Sequence, residues 1–163
     1  MKFPAILSIA LLLATAAEAA PDRNETVSYI KKQCEGTATG SGSVTRNVRI
    51  EGTVLSFTNG VPVDASAKGD VAFWQEVRTI DLAEVERVHD LNAFLQLQCG
   101  HNCGRVEGFY LGVDGKRRQP FWGNKSGTTH LTYVDIYCRN GDRVINAIKH
   151  LQSLVATDDP FAN

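Results

Sequence analysis

The chain has 163 residues, with 17 Lys and Arg against 18 Asp and Glu and a formal net charge of −1. With 43% hydrophobic and 21% charged residues it has the composition of a folded globular protein. That excludes a long acidic or basic tail and argues against a nucleic-acid binder, whose Lys and Arg would be in concentrated excess.

Residues 1–20 read as a secretory signal peptide. Lys2 supplies the positive n-region, Ile6 to Ala14 the apolar run, and Ala17-Glu18-Ala19 the small-x-small pattern that signal peptidase requires. The apolar run falls short of the ~20 residues that span a bilayer. No Cys sits at the cleavage position to carry a lipid anchor. Cleavage after Ala19 or Ala20 would leave a single domain over 21–156 and a frayed tail over 157–163. No later stretch is apolar enough to span, so the mature chain is expected to be released, periplasmic or secreted, by a signal of bacterial type.

Export sets how Cys34, Cys99, Cys103 and Cys138 are read, because an oxidising compartment favours disulfides. Four cysteines allow three connectivities. Cys99 and Cys103 bracket the turn-like tripeptide Gly100-His101-Asn102, which leans toward a local bridge and leaves Cys34 to Cys138.

The mature N-terminus is predicted helical. Asp22 and Glu25 have capping-box spacing, Val27, Ile30, Lys31 and Cys34 recur at helical spacing, and Gly36 follows as a stop. Residues 37–43 read as a flexible polar loop. From Val44 to Val113 the period is two. Val48, Ile50 and Val54 define a strand with Gly52 at a bulge, Asn59-Gly60 signals a turn, and Val71, Phe73 and Val77 define a further strand. Ile80, Leu82, Val85 and Val88 fit either a strand or a short helical turn. Phe94 to Cys99 and Val106 to Val113 read as two arms of a hairpin around the Cys99–Cys103 turn, and Asp114-Gly115 closes the next turn. Lys116 to Thr128 is polar and irregular, and Leu131 to Cys138 is a strand. A last helix starts at Asn140 as N-cap, with Asp142 in its first turn. Val144, Ile148, Leu151 and Val155 form its apolar stripe, flanked by Ile145 and Leu154.

The order predicts an α+β fold: an N-terminal helix, a curled antiparallel sheet or partial barrel of five to seven strands, and a C-terminal amphipathic helix. A curled sheet capped by a C-terminal helix resembles the pleckstrin-homology-like superfold. That resemblance implies binding of lipids, peptides or proteins through loops, though a phosphoinositide does not suit an exported chain.

Three constellations carry chemistry. Cys99, His101 and Cys103 would offer copper or zinc two thiolates and an imidazole. The Cys-x-x-x-Cys spacing is similar to that of the Sco copper-chaperone family, which implies Cys99 and Cys103 as ligands with His130 or His150 as the distant partner. Gly104 stands where that family has Pro, and no thioredoxin-like βαβ order surrounds the motif. A structural disulfide is the preferred reading, with an extracytoplasmic metal or thiol-redox site as the alternative. His89 beside Asp90, with Ser126 in a Gly-containing loop, would supply parts of a hydrolytic triad, but no Gly-x-Ser-x-Gly elbow is present. Lys116, Arg117 and Arg118, just before Phe121 and Trp122, form the expected binding loop, since basic residues beside aromatics suit anionic polymers or headgroups. These residues point to a small non-enzymatic binding or interaction protein held by two disulfides. No cofactor and no nucleic acid is expected, and the protein or small-molecule partner is not specified by any motif.

Overall fold

In the computed structural model, which describes residues 20–40, 42–62, 71–118 and 127–158, the capping box at Asp22 opens a helix as its spacing predicts. Helix α1 runs Arg23–Cys34. The Glu25 N–H donates to Asp22 Oδ1 at 2.8 Å, and the Asp22 N–H donates to Glu25 Oε2 at 3.0 Å. These two bonds satisfy donors that the first turn leaves without partners. Only Thr26, Ile30 and Cys34 are buried, a single stripe at steps of four. The last carbonyls of α1 are answered from far along the chain. The Arg139 N–H donates to Gln33 O at 2.8 Å and its guanidinium to Lys32 O at 2.9 Å. The signal segment, residues 1–19, lies outside the described residues.

Nine strands follow: β1 Val44–Glu51, β2 Val54–Pro62, β3 Val71–Asp81, β4 Arg87–Asp90, β5 Leu95–Gln98, β6 Gly104–Gly112, β7 Arg117–Arg118, β8 Gly127–Leu131 and β9 Tyr133–Ile136. A 3-10 turn, Leu82–Glu84, links β3 to β4, and helix α2, Gly141–Asp158, ends the described chain. All strand pairs are antiparallel. One sheet runs β1-β2-β3-β6 with β7 and β8 both pairing β6, and a second runs β4-β5-β9. The architecture is α+β, with no closed barrel among the described residues.

Several local expectations are corrected. The described part of the expected 37–43 loop does not hang free: Ala38 bridges Val44, and the Thr39 N–H donates to Ser43 O at 2.8 Å. Gly52 is not a bulge but part of the two-residue turn between paired Glu51 and Val54, where its φ of +62° suits glycine. The bulge falls instead between Arg46 and Arg49, with Asn47 at φ +55°. There the Glu35 carboxylate accepts from the Asn47 and Val48 N–H groups at 3.0 and 2.8 Å, which blunts the edge strand. Asn59-Gly60 lies inside β2 and makes no turn. β5 and β6 are not hairpin partners: they belong to different sheets, and the 99–103 loop carries the chain from one to the other. Leu131 ends β8 and only Tyr133–Ile136 forms β9. Thr157 and Asp158 belong to α2 and not to the tail, whose residues 159–163 fall outside the described set.

Leu55, Phe57 and Ile80 of the large sheet, Leu95, Leu97, Val134 and Ile136 of the small sheet, and Ile30, Val144, Ile148 and Leu151 of the helices form one buried cluster. Each such side chain contributes roughly 1.5–3 kcal/mol by leaving water. Asn140 opens α2 through its backbone, its carbonyl accepting from Arg143 and Val144. Asn140 thus holds the N-cap position expected of it, and its side-chain amide donates to Gln33 Oε1 at 3.0 Å, tying the start of α2 to the last turn of α1. Gln152 fixes α2 to the 3-10 turn by donating to Leu82 O and Val85 O at 2.7 and 2.8 Å.

Candidate functional site

The sulfur chemistry is closed. Cys34 is bonded to Cys138 across 104 positions and Cys99 to Cys103 across 4, and no cysteine is free. Neither Cys99 nor Cys103 is therefore a thiolate ligand in this form. His101 between them is exposed and faces Glu84, Nε2 to Oε2 at 3.3 Å. His130 lies on β8 opposite Arg105, and His150 Nε2 sits 2.7 Å from Pro21 O. Among the described residues no three His, Cys, Asp or Glu side chains converge as a metal site.

The hydrolytic parts are likewise separate. His89 Nε2 is 3.3 Å from Gln98 Oε1, whereas the Asp90 carboxylate accepts from the Asn92 N–H at 2.8 Å and lies against Gly141 at the start of α2. Asp90 thus does not orient His89, and Ser126 lies outside the described residues.

In the basic loop, register supplies the partners. β7 pairs Arg117 with Leu111, which places the Arg117 guanidinium 3.9 Å over the Phe109 ring and 2.9 Å from Glu107 Oε1. Arg118 meets Asp114 at 3.0 Å. The Lys116 N–H donates to Asp114 Oδ1 at 3.0 Å and, with the Arg118 guanidinium, holds this carboxyl below the ordinary aspartate range. Two of the three cations are therefore engaged, Arg117 by β6 and Arg118 by the turn. Lys116 is exposed, and Phe121 and Trp122 lie outside the described residues.

The same turn forms one wall of a cleft of about 350 Å³, within the usual size range of small-ligand sites. The cleft opens on the solvent face of the large sheet. Val44, Leu111 and Val113 give it apolar walls, and Arg46, Thr58 and Gln75 supply polar groups. Pairing Val44 with Gly60 and Gly60 with Gln75 sets these strands side by side. Gly60 leaves the floor open, since a Cβ built there meets no atom within 4 Å. The Thr58 hydroxyl is already held, donating to Arg46 O at 3.1 Å and accepting from the Asn47 amide at 3.2 Å. Arg46 is exposed and has no carboxylate partner among the described residues, and Val113 is 75% exposed. None of these lining residues stood out in the sequence as a site. The available signal was glycine at a strand position, Gly60, which often marks a close approach or an opening.

On the opposite face of the sheet lies a polar layer that the sequence also hid. Arg78 donates to Glu76 through Nε and Nη2 and to Asp135 O through Nη1 at 2.9 Å. Glu76 also accepts from the Trp74 indole at 3.0 Å, and Gln96 donates to Asp135 Oδ1 at 3.3 Å. The Trp74 ring meets Tyr110 at 4.7 Å between centroids with the planes tilted by 60°, and it rests on Gly108. Every group of the half-buried Arg78 fork has an acceptor, so this layer ties the large sheet to β9.

No protein-family model matches the chain, and no curated relative or solved structure is significantly similar to it.

Proposed function

We propose that the protein is a small exported binding protein without enzymatic activity, whose ligand occupies the cleft walled by the β6–β7 turn. The observation that carries this reading is the cleft's make-up: apolar walls with Arg46, which has no carboxylate partner among the described residues, at the rim and Gln75 within. A few placed polar groups in an apolar recess orient a ligand and exclude water. That chemistry suits a small organic acid whose apolar body lies against Val44, Leu111 and Val113 while its carboxylate meets Arg46. Export is supported by the composition of residues 1–20 and by two disulfides, which persist in oxidising compartments. No helix among the described residues is long and apolar enough to cross a membrane.

The test uses a panel of aliphatic and aromatic carboxylates read by thermal shift and calorimetry. Gly60→Leu fills the cleft, because its Cβ enters open space and the position does not need a positive φ. Binding by the natural chain and loss in Gly60→Leu at unchanged melting temperature is the expected result. Equal binding by both would place the ligand elsewhere.

A further inference from the structure

Away from the cleft, the solvent face of the large sheet carries a second pattern. Register places Arg49 opposite Ser56, Ser56 opposite Thr79, Thr79 opposite Arg105 and Arg105 opposite His130. Five strands thus present one straight row, cation, hydroxyl, hydroxyl, cation, imidazole. With strands about 4.8 Å apart, Arg49 and Arg105 stand roughly 14 Å from one another. Both are exposed, and neither has a carboxylate partner among the described residues. Arg46, one row over, is in the same state. The carboxylate of that neighbouring row, Glu107, is already held by Arg117. Beyond Arg49 stand Glu51 and Asp81 at one end of the face, and Asp81 is spent on the Ala83 N–H. The chain as a whole is at −1, so unpaired cations on this face are local to it.

We infer that this row is a docking surface for an anionic polysaccharide of the polyuronate type, lying across the strands. Sugar carboxylates accept from the guanidinium forks of Arg49 and Arg105, and the ring hydroxyls between them exchange hydrogen bonds with Ser56 and Thr79. The spacing separates this partner from other anions. Duplex DNA carries one charge per about 1.7 Å and rewards much denser cations. A bilayer surface favours clustered Lys and Arg, not two cations parted by hydroxyls. A small ion reaches one arginine only. The row does not line the cleft, so the inference stands apart from the small-ligand reading.

The disulfide-bonded chain is titrated with polygalacturonate at low salt, with fully methyl-esterified polygalacturonate, poly-L-glutamate and phosphatidylglycerol vesicles as the other arms. Binding of polygalacturonate alone is expected, weakening as salt rises. The double variant Arg49→Gln/Arg105→Gln is expected to lose about thirtyfold in affinity, as two surface pairs at the upper end of their usual worth would give. Its melting temperature should be unchanged, since neither side chain is buried. Arg143→Gln, an exposed cation on α2, should stay within about twofold, and Gly60→Leu should bind the polymer as the natural chain does. No binding at low salt, equal binding of the esterified polymer, preference for poly-L-glutamate or vesicles, or an equal loss in Arg143→Gln would each overturn the inference. Loss of small-acid binding with polymer binding intact would instead bear on the cleft alone.

Discussion

Replacing Cys34 and Cys138 together by Ala removes the bridge that closes a loop across 104 positions, and replacing Cys99 and Cys103 removes one across 4. In the chain-entropy description the first cross-link is worth about 4.7 kcal/mol and the second about 1.9, a difference near 3 kcal/mol. The comparison is well matched in packing. Each pair joins one buried sulfur, Cys34 at 0% or Cys99 at 3% exposure, to a half-buried one, so the loss of side-chain contacts largely cancels. At roughly 4 °C per kcal/mol for a domain of this size, the Cys34/Cys138 variant should melt about 10 °C or more below the Cys99/Cys103 variant. Differential scanning calorimetry without reductant measures both. Equal shifts, or a larger shift for Cys99/Cys103, would refute the loop-length reasoning and assign the stabilisation to local geometry. The structure adds a reason to expect the larger loss. The long bridge sits where Arg139 and Asn140 hydrogen-bond the last turn of α1, and those three bonds depend on the two segments being held together.

Two further outcomes follow from buried and charged groups. Asn59→Ala leaves the Thr45 hydroxyl, at 0% exposure, without the acceptor it meets at 2.9 Å, and urea unfolding should show a loss of about 1–3 kcal/mol. A loss under about 0.5 kcal/mol would mean the amide is not paired in solution. The Asp114 carboxyl is held low first by the Lys116 N–H, so whatever the turn gains from the ionised form is present above the ordinary aspartate range and disappears as pH falls through the lowered value. The Lys116 amide shift followed by NMR should titrate with a midpoint below that of a free aspartate, and a midpoint at or above it would contradict the turn geometry.

What the sequence discloses is what acts locally. The Asp22/Glu25 box and the Val144-Ile148-Leu151 stripe specify their helices within a few residues, and Asp114-Gly115 makes its turn with Gly115 at φ +73°. Misreadings occur where a distant partner overrides a local signal. Asn59-Gly60 reads as a turn, but Asn59 is buried in β2, where its side chain accepts from Thr45 and reaches Asp135 O at 3.5 Å. Cys99 and Cys103 do close a tight loop, yet a tight loop does not say whether its arms pair, and here they enter different sheets. For the basic run at 116–118 the sequence could not name the partners of Arg117, since Phe109 and Glu107 become its neighbours only once β6 and β7 are in register. The cleft and the arginine row depend on which residues of four or five strands lie abreast, and alternation within one strand does not contain that information.

All nine strands of the described residues lie between Cys34 and Cys138. A single protease cut anywhere in that interval therefore yields two pieces that stay joined through sulfur, and both helices remain attached to them. Such a nicked molecule would migrate as an intact chain on a non-reducing gel and separate only once reductant is added. The covalent link between the two helices thus outlasts any one backbone break in that interval.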